Sequence, residues 1–493
     1  MLKWILVILV LTFSLRIIYI PSGAVSFHYD MARDAFTALQ IWHGDLKIQG
    51  PPTSTPGLYH GPLYYYLLAP FYGFGKGDPR VASFFLAFLN SLTVIPIMLL
   101  AKDLFKSFKL SLLAGVLFAV SFESIQYAPW LSNPAPAVLT VTLFFYFLRM
   151  WQKGKSLGLY LAALTAILSV QFQFFLIYLL LLIPFFGYLF KIATNFKQKF
   201  ISILIILFGL SPFFIAALKF HTLQNITGGF FNIVTSGQID FRPQFSELLL
   251  NYLNRVVELF TYNFFPTNVF LGGILALAVL PFLKKQKLIL FYLFSNLPIF
   301  IFGGHSNTYV NIGLVVAAIL AVLNLMQIIE KQNKFLVVLL IFLIVSSNLY
   351  AVFKNGPLGQ IILVIPNDMV LKKELRLIDE TYQKAADQPF SINTLTVPLW
   401  INTTWAYLYS WYGQKKYGYV PKFLGHNQIN LLGVNALEKI DQPQDITFFI
   451  IEPHVGIPDD IYNLEIGAED SKSKLISETK YGDLRLQFRK PKK

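Results

Sequence analysis

The segment FHYDMARDAF, residues 27–36, places two aspartates and an arginine within five positions. It follows almost directly on the apolar run WILVILVLTFSLRIIYI (4–20), so the first acids of the chain stand at the mouth of a membrane span. The chain around this segment is greasy throughout. Its 493 residues are 55% hydrophobic and only 13% charged, with a mean hydropathy of +0.57. Soluble domains carry about a quarter charged residues, so the composition reads as a polytopic membrane protein. The 48 Phe and 25 Tyr suit lipid-facing surfaces and interfacial belts. The chain has no cysteine, which excludes disulfides and thiolate metal sites.

The net charge of +14 is unevenly spread. Up to residue 353 there are 23 Lys/Arg against 10 Asp/Glu, and beyond it 17 against 16. The basic residues fall in short gaps between apolar runs, a pattern that orients a membrane protein and argues against a nucleic-acid partner. A span needs roughly 20 mostly apolar residues. Candidates are 3–22, 80–101, 110–128, 134–151, 199–218, 266–283, 287–303, 308–328 and 334–353. As one helix, 156–190 would run about 52 Å against a hydrocarbon core of ~30 Å, so it reads as two spans reversing near SVQFQFF (169–175). The same split keeps every basic gap on one side. About eleven transmembrane helices result, with the N-terminus cytoplasmic and the tail extracytoplasmic in the plasma or inner membrane.

The outer face then collects the polar segments: the long first loop 23–79, the turns 123–134, 171–173 and 303–307, a second large loop 219–262, and the tail. Two domains follow, a membrane domain over 1–353 and a small external α/β domain over 354–493. In the first loop, MARDAFTALQIWHG (31–44) reads as an interfacial amphipathic helix with Asp30 as its cap and Ala35, Leu39 and Trp42 on its apolar face. RPQFSELLLNYLNRVVELF (242–260) repeats the pattern, and Arg16, late in the first span, is expected to snorkel outward. In the tail, 367–388 and 403–416 read as helical, 389–397 and 446–453 as strands, and 474–490 as a hairpin turning at Tyr481–Gly482–Asp483.

Asp30 and Asp34 stand four apart, so a helix turns both to one side with Arg33 beside Asp30. A carboxylate partly withdrawn from water holds a proton more tightly, which suits a general base meeting a lipid-borne substrate. The competing reading is a helix cap with a local ion pair.

The order of these features resembles a known family. A span is followed by Asp30 and Arg33 on an interfacial helix, by HGPLYYYLLAPFYGFG (60–75), and by a span opening RVASFFLAFLNSLTVIPIMLLAKDLF (80–105). This is similar to GT-C class membrane glycosyltransferases of the protein O-mannosyltransferase and lipid A aminoarabinose transferase type. The resemblance implies a GT-C-like fold and an enzyme that moves a sugar from a polyprenyl-phosphate donor to a lipid, glycan or protein acceptor on the outer face, inverting the anomeric carbon. Asp30 would be the catalytic base. No nucleotide is needed outside, in keeping with the lack of a P-loop or GxGxxG. The chain departs from the pattern at Met31, where an adjacent acid is common, and at Asn133 in LSNPAP, where an acid commonly opens the fourth span. Asp34 is the candidate replacement for one of them and joins Asp30 in the catalytic set.

A leaving phosphate needs cations or donors. The candidates are Arg33, His60, Arg242, Arg255 and His305. Tyr64, Trp130, Asn133, Gln171 and Gln173 are the candidate sugar contacts, against an interfacial belt or turn-satisfying amides as the plainer reading. The sequence requires no cofactor; a divalent metal stays open but unsupported, since two aspartates are few ligands for a dedicated site. The alternatives are a lipid-linked saccharide flippase, which should carry charges or broken helices at mid-bilayer, and a non-catalytic envelope protein on the same scaffold.

Overall fold

The computed structural model describes residues 1–53, 57–222, 244–303, 308–363, 368–426, 437–454 and 456–492. Up to Asn355 the described residues are mostly helical. Three helical stretches among the described residues are long and apolar enough to cross a membrane: Pro79–Phe105, Phe196–Lys219 and Lys334–Leu358. Shorter apolar helices pack around them. The stretch 156–190 breaks where the polar interruption predicts, into Ser156–Phe172 and the run from Phe174 to Leu189. The expected helix at 242–260 is found as Phe245–Phe264, and the chain then turns by 107° into Val269–Leu283. Residues 287–303 form two short helices, Lys287–Leu293 and Leu297–Gly303.

Arg16 corrects one expectation. It does not snorkel but lies buried in the bundle, its Nε donating to Asn90 Oδ1 at 2.7 Å and its Nη atoms to the carbonyls of Thr12, Phe118 and Ala119 at 3.2 Å. A guanidinium with several donors can satisfy itself on backbone carbonyls left over at a helix end. Two of the three, Phe118 and Ala119, stand at the end of the helix Phe108–Val120, and Thr12 lies one turn back in the helix of Arg16 itself.

The tail forms a five-stranded sheet in the order β2-β1-β3-β5-β4, built from β1 (Ser391–Leu395), β2 (Lys422–Phe423), β3 (Thr447–Ile451), β4 (Ser473–Tyr481) and β5 (Leu484–Pro491). β1 runs parallel to β2 and β3, while β3 pairs antiparallel with β5 and β5 with β4. Every residue of TFFII in β3 is buried, as a central strand covered on both faces requires. The β4–β5 hairpin turns at Gly482, whose φ of +81° suits glycine. A helix at Leu371–Ala385 and a helical run from Thr403 to Tyr417 match the sequence pattern. The two-residue β2 and the helix Asp459–Lys472 were not foreseen.

The tail is stitched to the first loop. Phe27 N–H donates to Met369 O at 3.1 Å, Leu371 N–H to Val25 O at 2.9 Å, and Lys372 N–H to Gly23 O at 3.0 Å. Ser26 N–H donates to Gln360 Oε1 at 2.8 Å. The helix Thr403–Leu408 lies against Tyr29–Trp42. Its Tyr407, fully buried, packs its ring on Phe27 and Phe36 and donates its hydroxyl to Gly77 O at 2.6 Å. Buried aromatic area and backbone bonds together fix the first loop as part of a folded core.

Candidate functional site

The helix carrying the acids spans Tyr29–Trp42. Its N-cap is His28 in extended backbone, so Asp30 is not the cap but the second residue inside the helix. There its charge still faces the positive end of the helix dipole. Its apolar stripe is only partly taken up by the fold, since Trp42 stays 44% exposed. Ala35 is buried, and the Trp42 ring packs on Phe74 at 5.0 Å and closes over Gly73, where a Cβ would meet the indole at 2.2 Å. The stripe faces the aromatic helix Leu63–Phe74.

On the other side of this helix Arg33 joins the two aspartates. Its Nη1 is 2.6 Å from Asp30 Oδ1, and its Nε and Nη2 each lie 2.8 Å from Asp34 Oδ1. The side chains of Arg33 and Asp34 are buried, whereas that of Asp30 is 50% exposed. Burial alone would weaken the Arg33 cation, but Asp34 and Asp30 together reverse this and hold its proton well above the usual range. Burial pushes the Asp34 carboxyl up to about 6 against the pull of Arg33, and Tyr65 shares a side-chain hydrogen bond with it. At neutral pH the group is therefore one buried ion pair with a second carboxylate reaching out of it. Among the described residues no donor reaches the second oxygen of Asp30.

His60 stands in the same electrostatic neighbourhood. Burial foremost, with the Arg33 charge adding to it, lowers its imidazole to about 3 despite Asp30 nearby. Its Nδ1 accepts the Phe174 N–H at 3.0 Å, which leaves the ring proton on Nε2. His60 is thus a neutral donor and not a cation. The next residue explains the Gly-Pro that follows. Gly61 N–H donates to Gln171 O at 2.9 Å, and a Cβ at Gly61 would lie 1.8 Å from Gln171 Oε1, so only glycine admits this approach.

The remaining candidates divide. Tyr64 is fully buried within reach of the Asp34 and Arg33 charges, and its hydroxyl has no partner among the described residues. Asn133 donates to Phe172 O at 2.6 Å and to Gln173 Oε1 at 2.8 Å, and Gln171 donates to Gly209 O at 2.7 Å, so these amides tie the reversal together. Trp130 is buried against Tyr127. Arg255 pairs with Glu258 one turn along its helix and belongs to a second polar cluster with Tyr262 and Glu123. Arg242 and His305 lie outside the described residues. No group of three or more His, Asp or Glu side chains among the described residues is arranged to hold a metal ion.

Sequence reasoning offered Tyr65 only as one of three tyrosines that could stack on a sugar, not as the partner of Asp34, and it missed the buried Glu123, to which Asn263 donates. Asn263 in turn accepts from Ser121 at 2.5 Å. The signal for Glu123 was present: it is the only acid between Asp103 and Asp240.

No protein-family profile and no curated protein sequence matches the chain. Among solved structures, the fold matches two crystal structures of ArnT from Cupriavidus metallidurans, each at 9% identity over 99% of this chain and 98% of the other. One is bound to undecaprenyl phosphate, with a TM-score of 0.58, and the other is in the apo state, with a TM-score of 0.61. End to end, the chain shares the polytopic helical fold of ArnT, in keeping with its resemblance to the GT-C class.

Proposed function

We propose that this chain transfers a sugar from a polyprenyl-phosphate donor to an acceptor at the outer face of the membrane, with inversion, and that Asp30 is the general base. The observation that carries the reading is the asymmetry of the acid pair. Asp34 is buried and holds Arg33, while Asp30 is gripped by Arg33 through one oxygen and half exposed. A base needs this arrangement: one carboxylate oxygen fixed for aim, the other open to a proton. Support for the donor class comes from the fold shared with ArnT, which was crystallised with undecaprenyl phosphate.

In this reaction the acceptor nucleophile attacks the anomeric carbon and passes its proton to Asp30. The bond from that carbon to the phosphate oxygen breaks, and the electron pair leaves with the lipid phosphate. Arg33 has N–H groups beyond those engaged with the two acids, and His60 offers Nε2–H, so both can donate to the departing phosphate. Arg242, Arg255 and His305 stand as further phosphate contacts on the second loop and a later turn, and the buried Tyr64 as the sugar contact nearest the acids. Asp34 serves the pair by fixing Arg33. The membrane layout behind this reading is the eleven-span one, with the tail domain outside.

The test is the Asp30→Asn variant, purified in lipid nanodiscs and assayed for release of undecaprenyl phosphate from undecaprenyl-phosphate-linked sugars. Removing a general base should slow transfer by about 10²- to 10⁴-fold with the thermal melt unchanged. Transfer at the wild-type rate would remove Asp30 from the mechanism.

A further inference from the structure

The parallel strands β2, β1 and β3 lie side by side and deliver their chains to one edge of the sheet. Beyond each carboxyl end stands a ring: His426 after β2, Trp400 after β1 and His454 after β3. The strand order 2-1-3 makes this edge the place where successive connections diverge, which in open α/β sheets is where ligands bind.

Trp400 is the unusual member. Its backbone is left-handed, with φ at +64°, which is an outlier for a bulky side chain. The turn is held by Thr396, whose hydroxyl donates to Pro398 O at 2.8 Å and accepts the Ile401 N–H at 3.0 Å. The indole is nevertheless 47% exposed. Its N–H is already committed, donating to Glu465 Oε1 at 2.9 Å, and the other Glu465 oxygen lies 3.4 Å from His426 Nε2. The indole and imidazole are 5.1 Å apart at 42°. One turn before Glu465 on the helix Asp459–Lys472, Tyr462 packs against His454 at 4.7 Å.

The fold thus spends backbone strain to hold a broad ring half in water, with its polar atom tied down and its π face offered. Glu465 retains lone pairs beyond the two in use. A ring face beside a carboxylate acceptor matches a pyranose, whose C–H face stacks and whose hydroxyls donate. An anionic lipid headgroup fits worse, because Glu465 would repel it. A lone interfacial tryptophan would leave its N–H to water.

We propose that Trp400, Glu465 and His426 form a saccharide subsite for neutral pyranose units on the tail domain. Only two residues separate Trp400 from the helix Thr403–Leu408, which packs on the helix carrying Asp30. The subsite therefore names the acceptor of the proposed reaction as a glycan. That role rests on the reading above, while binding itself does not.

The experiment uses the full chain in nanodiscs and three soluble probes, cellotetraose, mannotetraose and tetra-N-acetylchitotetraose, followed by calorimetry and saturation-transfer NMR. At least one probe should bind saturably. Trp400→Ala should weaken it by about tenfold or more, the scale of losing one aromatic anchor, and Glu465→Gln by less. Trp400→Phe, which keeps a stacking face, should fall between wild type and alanine and guards against misfolding. Asp30→Asn should bind as wild type. Failure of all three probes to bind, or binding by Trp400→Ala and Glu465→Gln at wild-type strength, overturns the subsite. Saccharide binding by a wild-type protein that moves no sugar would overturn the transferase reading and leave the subsite standing.

Discussion

On the first-loop helix, Asp34 is buried with the Arg33 guanidinium 2.8 Å away; in the tail, Glu374 is buried with no hydrogen-bond partner for either oxygen among the described residues. Beside Glu374 lies Glu452, also buried, which accepts the Val397 N–H at 2.8 Å and the Trp405 indole N–H at 3.0 Å. Both regions take carboxyls out of water. The first loop keeps its charge by pairing it, and the tail gives its charge up by holding a proton. Burial, reinforced by Glu452, raises Glu374 well above its ordinary value, and burial raises Glu452 to about 8. A paired charge can aim a neighbour and carry a reaction, as Arg33 aims Asp30. A neutral carboxyl accepts a neighbour's hydrogen bond at most, as Glu452 does, and its cost appears when pH rises.

The largest effect should come from breaking the pair. Arg33→Met leaves Asp34 buried without its cation, which costs about 3–5 kcal/mol in thermal unfolding and removes sugar transfer as well. A melt close to wild type would mean that Asp34 is not held as described.

The tail should respond to pH with the opposite logic. In the unfolded chain a glutamate ionises near ~4.3, but Glu374 and Glu452 stay protonated in the folded state until far higher pH. Their contribution is fully present below the unfolded value and is lost as pH rises toward the folded one. The slope is about 1.4 kcal/mol per pH unit for each group while only the unfolded form is ionised. Glu374→Gln, a neutral isostere, should therefore melt like wild type near pH 4 and above it at pH 8. Equal melting temperatures at pH 8 would show that Glu374 is not buried as a neutral acid.

His60 sharpens the comparison at the smallest scale, since it sits among the first-loop charges yet is neutral like the tail acids. His60→Asn keeps an acceptor for Phe174 N–H and loses the Nε2 donor, whereas His60→Gln does the reverse. The first should leave the melt within about 0.5 kcal/mol while slowing turnover; the second should cost about 1 kcal/mol and turn over faster than the asparagine variant. His60 should add no step to the wild-type rate near the ordinary histidine range, because it does not take up a proton there; a step near pH 6 belongs to Asp34 and should persist in His60→Asn. A step at pH 6–7 that vanishes in His60→Asn would contradict the fixed tautomer.

Local features were legible in the sequence and distant ones were not. The break after Phe172, the hairpin at Gly482 and the helix Leu371–Ala385 follow from a polar interruption, a turn residue and a 3.6-residue period. The acid pair with Arg33 was legible as well, because spacing on a helix sets which side chains meet. Which of the two acids would be buried was not, since that depends on how the helix Leu63–Phe74, with Tyr65, packs on the side of Asp34. The bond between Ser26 and Gln360 joins positions 334 apart, and no local pattern announces it. The helix Asp459–Lys472 was missed because its polar residues run all round and only Glu469 is buried. Glu123 was passed over because one acid in a long apolar stretch carries no period.

The seam between residues 23–27 and 369–372 sets an order of assembly. The loop bearing Asp30 is made well before the strip that clasps residues 23–27, so this corner of the fold stays unfinished until more than three hundred further residues have followed. A chain cut before residue 369 would carry Asp30, Arg33 and Asp34 yet lack the backbone partners that Met369, Leu371 and Lys372 supply to residues 23–27.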